Sequence, residues 1–295
     1  QGAGQDSVYV AYTYSLGKIR ISAFKFNNGA NPSLTGETIL INDIPASNDH
    51  SSGRLIIGAD NKIYYSCGDG GNNQFSNRCN TIKSQDDPTA SEITAADYSN
   101  YAGKILRINL DGSIPADNPV FNGTRSHVFS KGHRNPQGLV WEKSSSNGLD
   151  FPSPVINGKL FSSEQGPRTD DEINIIEAGK NYGWPYIAGD LDNLNYQYIN
   201  WSSSPACATT SYTENTIPAG AVVLDENDAP PALQANFKKP VINLFTTCGS
   251  QAASACDASG TNWMKFSTIA PSSVDYYHVQ GGMSMPGWYP SLLIP

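Results

Sequence analysis

Asp49-His50 is the first place where residue types suggest chemistry. A histidine accepts a proton near neutral pH, and a carboxylate beside it can orient the ring and raise its basicity. Further along, Gly132-His133-Arg134-Asn135-Pro136-Gln137 offers Arg134, a guanidinium able to hold a carboxylate or stabilise a developing oxyanion. Ser163-Glu164-Gln165-Gly166-Pro167 leads into Asp170-Asp171-Glu172. Main-chain carbonyls of a Gly-Pro turn beside carboxylates are the hard oxygen donors that Ca²⁺ takes. Ala188-Gly189-Asp190-Leu191-Asp192 is a second oxygen-rich loop of the same character. Each cluster alone also has a plainer reading: a surface histidine, a loop ion-pair partner, solvated acids. Other chemistries are excluded by what the sequence lacks. There is no GxSxG, no P-loop and no strand-linked GxGxxG. Gly68-Asp69-Gly70-Gly71 precedes no helix pattern and is a weak phosphate cradle. His127, His133 and His278 read as structural. Trp184, Trp263, Phe266 and Trp288 read as packing aromatics, with faces that would also suit a planar cofactor or a sugar.

The elements that must position these groups are strands and turns. Arg54–Gly58 and Lys62–Cys67 are strand-like runs joined by Ala59-Asp60-Asn61, and a Gly/Asn-rich loop, Gly68–Gln74, follows. A hairpin brings residues before its first strand and after its second to one end, so His50 and Gln74 are expected to face one pocket. Ser7–Tyr14 and Lys18–Phe26 alternate about Leu16-Gly17 and predict another hairpin. Asn27–Ile39 reads as a loop, with a short strand running toward Ile44. Arg78–Ser99 reads as a long polar loop with one short helix, and a loop that long often serves a site. Gly103–Asn109, Ser126–Ser130, Gly138–Glu142, Lys159–Ser163, Asp171–Ile176, Val241–Thr246 and Asp275–Val279 read as further strands. Tyr196–Asp228 reads as loop. Ser52–Gly71 resembles Pro136–Pro167: a polar head, a strand, an Asn/Gly turn, a Lys-led strand and a Gly loop. A long repeat made only of strands and turns points to the blades of a β-propeller.

Composition agrees. The 295 residues carry 27 Gly, 19 Pro and 15 Tyr, a balance suited to short strands. Lys+Arg 19 against Asp+Glu 27 gives a net charge of −8, with no basic stripe to meet phosphates, which disfavours nucleic-acid and anionic-membrane binding. No apolar run approaches ~20 residues, so no membrane span is expected. The first residues do not form a signal-peptide pattern, and both ends are expected to be cuts in a longer chain. Of five cysteines, Cys67–Cys79 and Cys248–Cys256 are near enough to bridge locally, at about 2.5–3 kcal/mol each. Free buried thiols are the alternative. Asn122-Gly-Thr and Asn200-Trp-Ser add weak support for an exported protein.

Together these motifs resemble the soluble quinoprotein glucose dehydrogenase family, also called aldose sugar dehydrogenases. The matching strings are HSSGRLIIGADNKIYYSCGDGGNNQ, GKILRINLDGSIPADNP, GHRNPQGL, SEQGPRTDDEIN, NYGWP and TIAPSS, in family order over most of Asn48–Trp288. The resemblance implies an all-β, six-bladed β-propeller, with residues 1–295 forming a single incomplete domain of about four blades. It implies pyrroloquinoline quinone (PQQ) and Ca²⁺ as cofactors, an aldose as substrate and an external electron acceptor. A periplasmic or secreted location is implied, and a homodimer when full length.

Residue by residue, the resemblance makes His50 the general base for the anomeric hydroxyl, supported by Asp49, with Gln74 beside the sugar. Arg134 would stabilise charge on the reduced quinone. Asn135, Gln165 and Thr268 would contact the cofactor, and the carbonyls of Gly166 and Pro167 would hold the catalytic Ca²⁺ in a loop braced by Asp171. Ala188, Asp190 and Asp192 fall on a structural Ca²⁺ loop, with Asp190 replacing an aromatic. Trp263 stands where glucose-specific members carry Tyr. Phe266 stands where they carry a Trp over the sugar and quinone, which alters the expected sugar preference. Two other readings are a non-catalytic binding propeller of the same fold, and a lactonase propeller whose metal would need several converging side-chain carboxylates.

Overall fold

The computed structural model describes residues 6–144, 153–167, 169–193, 196–213, 216–244, 269–278 and 290–295. The first sheet is three-stranded and antiparallel, Asp6–Ser15, Lys18–Asn27 and Ser33–Pro45. Its third strand corrects the sequence reading, which gave most of this stretch to a loop. The first half of that strand is exposed and carries no apolar alternation. Register shifts along its pairing accommodate Gly36 and Asp43, both at positive φ.

The second sheet orders its strands as Leu55–Ile57, Lys62–Cys67, Lys104–Asn109 and Val128–Lys131. The third repeats the plan with Pro136–Trp141, Leu160–Glu164, Asp171–Ile176 and Ile242–Leu244. A strand pair, Asp275–Tyr277 with Ser291–Leu293, follows. The longer of the two α-helices among the described residues is Ala90–Ala95; the other is Pro231–Gln234. The longer one is closed by a Thr89–Glu92 capping box, as a short helix in that loop predicts. Tyr198–Asn200 and Val222–Leu224 pair inside a stretch read as loop.

The sheets stack face to face in chain order, and strand periodicity is the cause. Ile63, Tyr65 and Cys67 point one way, onto Ile19, Ile21, Ile41 and Ile44 of the first sheet. Tyr64 points the other way and joins Ile105 against Leu139, Leu160 and Ile176 of the third. The second sheet is thus buried on both faces. Each fully buried isoleucine contributes about 1.5–3 kcal/mol, far more than the short helix can. Consecutive four-stranded antiparallel sheets stacked in this way are propeller blades, so the architecture is all-β and of propeller type. No helix among the described residues is long and apolar enough to cross a membrane.

The antiparallel registers bring the functional loops to one end. Leu55 pairs with Tyr65, Cys67 with Lys104 and Lys104 with Lys131. Pro136 pairs with Glu164, and Glu164 with Glu172. Residues 49–54, 68–74, 132–135, 165–167, 169 and 170 therefore all lie at the same rim.

Candidate functional site

His50 sits on that rim, buried, with φ of 43°. Its carbonyl oxygen would lie 1.9 Å from a Cβ at residue 68, so only glycine fits beneath it. Its Nδ1 lies 2.8 Å from Asp69 Oδ1. Asp69 also accepts from Gly71 N at 2.8 Å and from Trp184 Nε1 at 2.8 Å. Three donors on one buried carboxylate fix it as the acceptor for the Nδ1 proton. We therefore assign the tautomer with its lone pair on Nε2. Gln74 Nε2 approaches that Nε2 at 3.2 Å and donates to Asp49 Oδ2 at 2.9 Å. Asp49 itself stands 3.7 Å from the ring. His50 and Gln74 thus meet at one end of the hairpin, and Asp49 beside them is partly exposed; of the three, Gln74 borders the cavity of the site.

Gln74 also links the histidine to the cation. Its Oε1 accepts from Arg134 Nη2 at 3.1 Å, while Arg134 Nη1 donates to Gln165 O at 3.2 Å. Arg134 is buried, its Nε has no acceptor, and no carboxylate pairs with it among the described residues. Burial pulls its pKa below the usual arginine value; the charge of Asp69 is the largest opposing influence. The Arg134 amide donates to Glu164, which also bonds His133 Nδ1 at 2.9 Å. His133 is fully buried, bonded to Ser130 and stacked on Tyr182, a structural residue as read. Asn135 accepts from Ser52 at 2.9 Å and donates to Gln165 Oε1 at 3.3 Å. Gln74, Arg134, Pro167, Trp184, Trp201 and Tyr212 are among the residues around one cavity of about 340 Å³.

At Gly166 a Cβ would meet Thr169 O at 2.1 Å, so this loop too requires glycine. Gly166 N donates to Asp171 Oδ1 at 2.9 Å, and Asp171 Oδ2 accepts from the amides of Ile269 and Ala270 at 2.6 and 2.9 Å. Asp171 thus ties the Gly-Pro loop to the segment after Thr268. Ala188, Asp190 and Asp192 lie apart from the cavity. Their loop closes on Glu226, whose carboxylate accepts from Ala188 N at 3.1 Å and Asn193 N at 2.7 Å. Gly189 N donates to Glu172 at 2.8 Å, and Asn243 to Asp190 at 3.2 Å. Burial pushes Glu226 up to about 7 and, with the nearby Glu164 charge, raises Glu172 well above the usual carboxylate range. Among the described residues no group of three or more His, Cys, Asp or Glu is arranged to hold a metal. Trp263, Phe266, Thr268 and Cys248–Cys256 lie outside the described residues.

Residues 3–238 match the model of the glucose / sorbosone dehydrogenase family. The chain belongs to this family. It is 40% identical over 270 residues to quinoprotein glucose dehydrogenase B of Acinetobacter calcoaceticus, covering 91% of this chain and 53% of that protein. It is 35% identical over 154 residues to an aldose sugar dehydrogenase of Escherichia coli, covering 52% of this chain and 33% of that one. The PQQ-bound aldose sugar dehydrogenase of Streptomyces coelicolor shares 33% identity over 64% of this chain and 46% of its own, with a TM-score of 0.48. The chain thus spans about half the length, or less, of the relatives it matches.

Four features of this family member escaped sequence reasoning. Asp69 holds the histidine Nδ1, where adjacency pointed to Asp49. Trp184 reaches Asp69 from 115 positions away, and Glu226 supplies the buried carboxylate of the 188–192 loop. The cysteine pairing also needs correction: Cys79 bonds Cys207, and Cys67 is a free buried thiol raised by burial. Cys67 ends a strand with its side chain packed in the core, and Cys79 is taken by Cys207. Arg78, beside Cys79, donates to Cys207 O and Ala208 O at 2.8 Å each, and so marks the same crossing.

Proposed function

We propose that this chain carries the proton-accepting and anion-holding half of a PQQ- and Ca²⁺-dependent aldose dehydrogenase, which oxidises the anomeric carbon of glucose-like sugars to lactones. The observation that carries the reading is Arg134: a buried guanidinium with an unpartnered Nε, set on a cavity wall and joined through Gln74, which borders the same cavity, to Nε2 of His50. An unpaired buried cation on a cavity suits an anionic, planar group. The match to a quinoprotein supports a quinone as that group. The donor set of the Gly166–Pro167 loop is oxygen only, as a hard cation requires.

Arg134, Asn135, Gln165 and, beyond the described residues, Thr268 and Phe266 would hold PQQ. Gly166 and Pro167 would hold the catalytic Ca²⁺, with Asp171 fixing their loop. Ala188, Asp190 and Asp192 would hold a structural one, in a loop fixed by Glu226. Bound there, PQQ supplies a two-electron, hydride-accepting quinone and Ca²⁺ a Lewis acid. The chain's own residues do the rest. Gln74, Asp49 and Trp263 orient the sugar, whose anomeric hydroxyl takes the place of the Gln74 amide at His50 Nε2. His50 removes that hydroxyl proton while Asp69 holds the imidazolium that forms. Electrons leave to an external acceptor. The Cys79–Cys207 disulfide favours an oxidising, periplasmic or secreted location.

The test is reconstitution of the whole protein with PQQ and Ca²⁺, followed by dye reduction across a panel of aldoses. Aldose-dependent reduction that disappears when PQQ is omitted is expected. No reduction with any aldose would end this reading.

A further inference from the structure

Trp184 touches three parts of the site at once. Its Nε1–H donates to Asp69 Oδ2 at 2.8 Å. The guanidinium carbon of Arg134 lies 5.3 Å from its ring centre. Its ring borders the cavity. Its backbone is tied on both sides: the amide donates to Gly132 O at 3.0 Å, and the carbonyl accepts from Gln85 Nε2 at 2.7 Å. Gln85 in turn exchanges amide bonds with Asn181 at 3.0 and 2.7 Å. Tyr196 packs with the indole at 5.6 Å. An indole that only filled space would need some acceptor for its N–H, and any carbonyl would serve. Here the acceptor is the same carboxylate that holds His50.

We propose that Trp184 is a positioning residue that sets the strength of the Asp69–His50 hydrogen bond. The proposal rests on the reading of His50 as the base. A carboxylate shares its charge among its donors, so a bond to one oxygen weakens the pull of the other. Without the indole N–H, Asp69 Oδ1 draws harder on the Nδ1 proton and favours the imidazolium. The other groups facing His50 are Asp49, Gln74 and, through Gln74, Arg134. Replacing Trp184 alters none of their chemistry. The acid limb of the pH–rate profile should therefore move to higher pH, by on the order of one unit, with KM little changed.

Two variants test this: Trp184→Phe, and benzothienylalanine at position 184, which keeps the ring outline and removes only the N–H. The first readout needs no cofactor. The Nδ1–H proton resonance of His50, one of four histidines, is followed in ¹⁵N-histidine-labelled protein, with that of His133 on Glu164 as internal reference. The expected result is a downfield move of the His50 resonance alone, with the acid limb following in the loaded enzyme. A His50 resonance that stays in place in a folded variant overturns the proposal. A resonance that moves while the pH profile does not supports the indole–carboxylate coupling and counts against His50 as the base.

Discussion

Replacing Arg134 by methionine should leave the fold nearly as stable while removing activity. Arg134 is 6% exposed, and its guanidinium donates to two neutral oxygens, Gln165 O at 3.2 Å and Gln74 Oε1 at 3.1 Å. Truncating an arginine of a buried ion pair costs about 3–5 kcal/mol, because a charge is stranded. Arg134→Met strands none, since no carboxylate pairs with Arg134 among the described residues. It loses two hydrogen bonds to a charged group, about 1.5–3 kcal/mol each. It also removes the desolvation of an unpaired cation, several kcal/mol in the other direction. The two nearly cancel, and a net change within about 2 kcal/mol is expected. Urea unfolding without cofactor measures it. In the loaded enzyme, loss of the charge that faces the developing anion should lower kcat by about 10²–10³-fold. A loss of 3–5 kcal/mol in the cofactor-free protein would show that the guanidinium holds the fold rather than a ligand. Unchanged turnover would remove Arg134 from the site.

Cys207→Ser opens a loop closed across 128 positions, for which chain entropy gives a loss of about 5 kcal/mol. The unfolding midpoint should drop to that of the reduced protein and KM should rise, because Trp201 and Tyr212 wall the cavity beside the bridge; equal midpoints with and without reductant would contradict this. Glu226 is raised from 4.5 to about 7 by burial. A folded pKa above the unfolded one stabilises the protein fully below about 4.5 and loses that contribution as pH rises through about 7. Metal-stripped protein should therefore lose stability across this window, Ca²⁺ should restore it, and Glu226→Gln should flatten the dependence. A Ca²⁺-independent unfolding midpoint above pH 7 would speak against a cation at the 188–192 loop.

The blade plan was legible because strand alternation and turn residues are local. Lys62–Cys67 alternates its faces, and the Asp60-Asn61 turn closes with Lys62 N on Asp60 at 3.2 Å. The meeting of His50 with Gln74 followed from the same hairpin logic, and Arg134 from its motif. What sequence reading missed is what crosses between blades. Asp69 outcompetes Asp49 for the Nδ1 proton because the Gly68–Gly71 turn folds back under the histidine, a path set by backbone that only glycine tolerates. Trp184 and Cys207 reach the rim from a long excursion after Ile176 whose route leaves no periodic trace. The exposed half of Ser33–Pro45 pairs through backbone alone, so no apolar pattern marked it as a strand.

The central claim is that His50 accepts the proton as the anomeric C–H bond breaks at this rim. Stopped-flow reduction of the cofactor-loaded protein by an aldose, with hydrogen or deuterium at the anomeric carbon, tests it most directly. The account predicts slower reduction by the deuterated sugar, and a fall of about 10²–10⁴-fold when His50 is replaced by alanine. A rate indifferent to both the label and the substitution would contradict it.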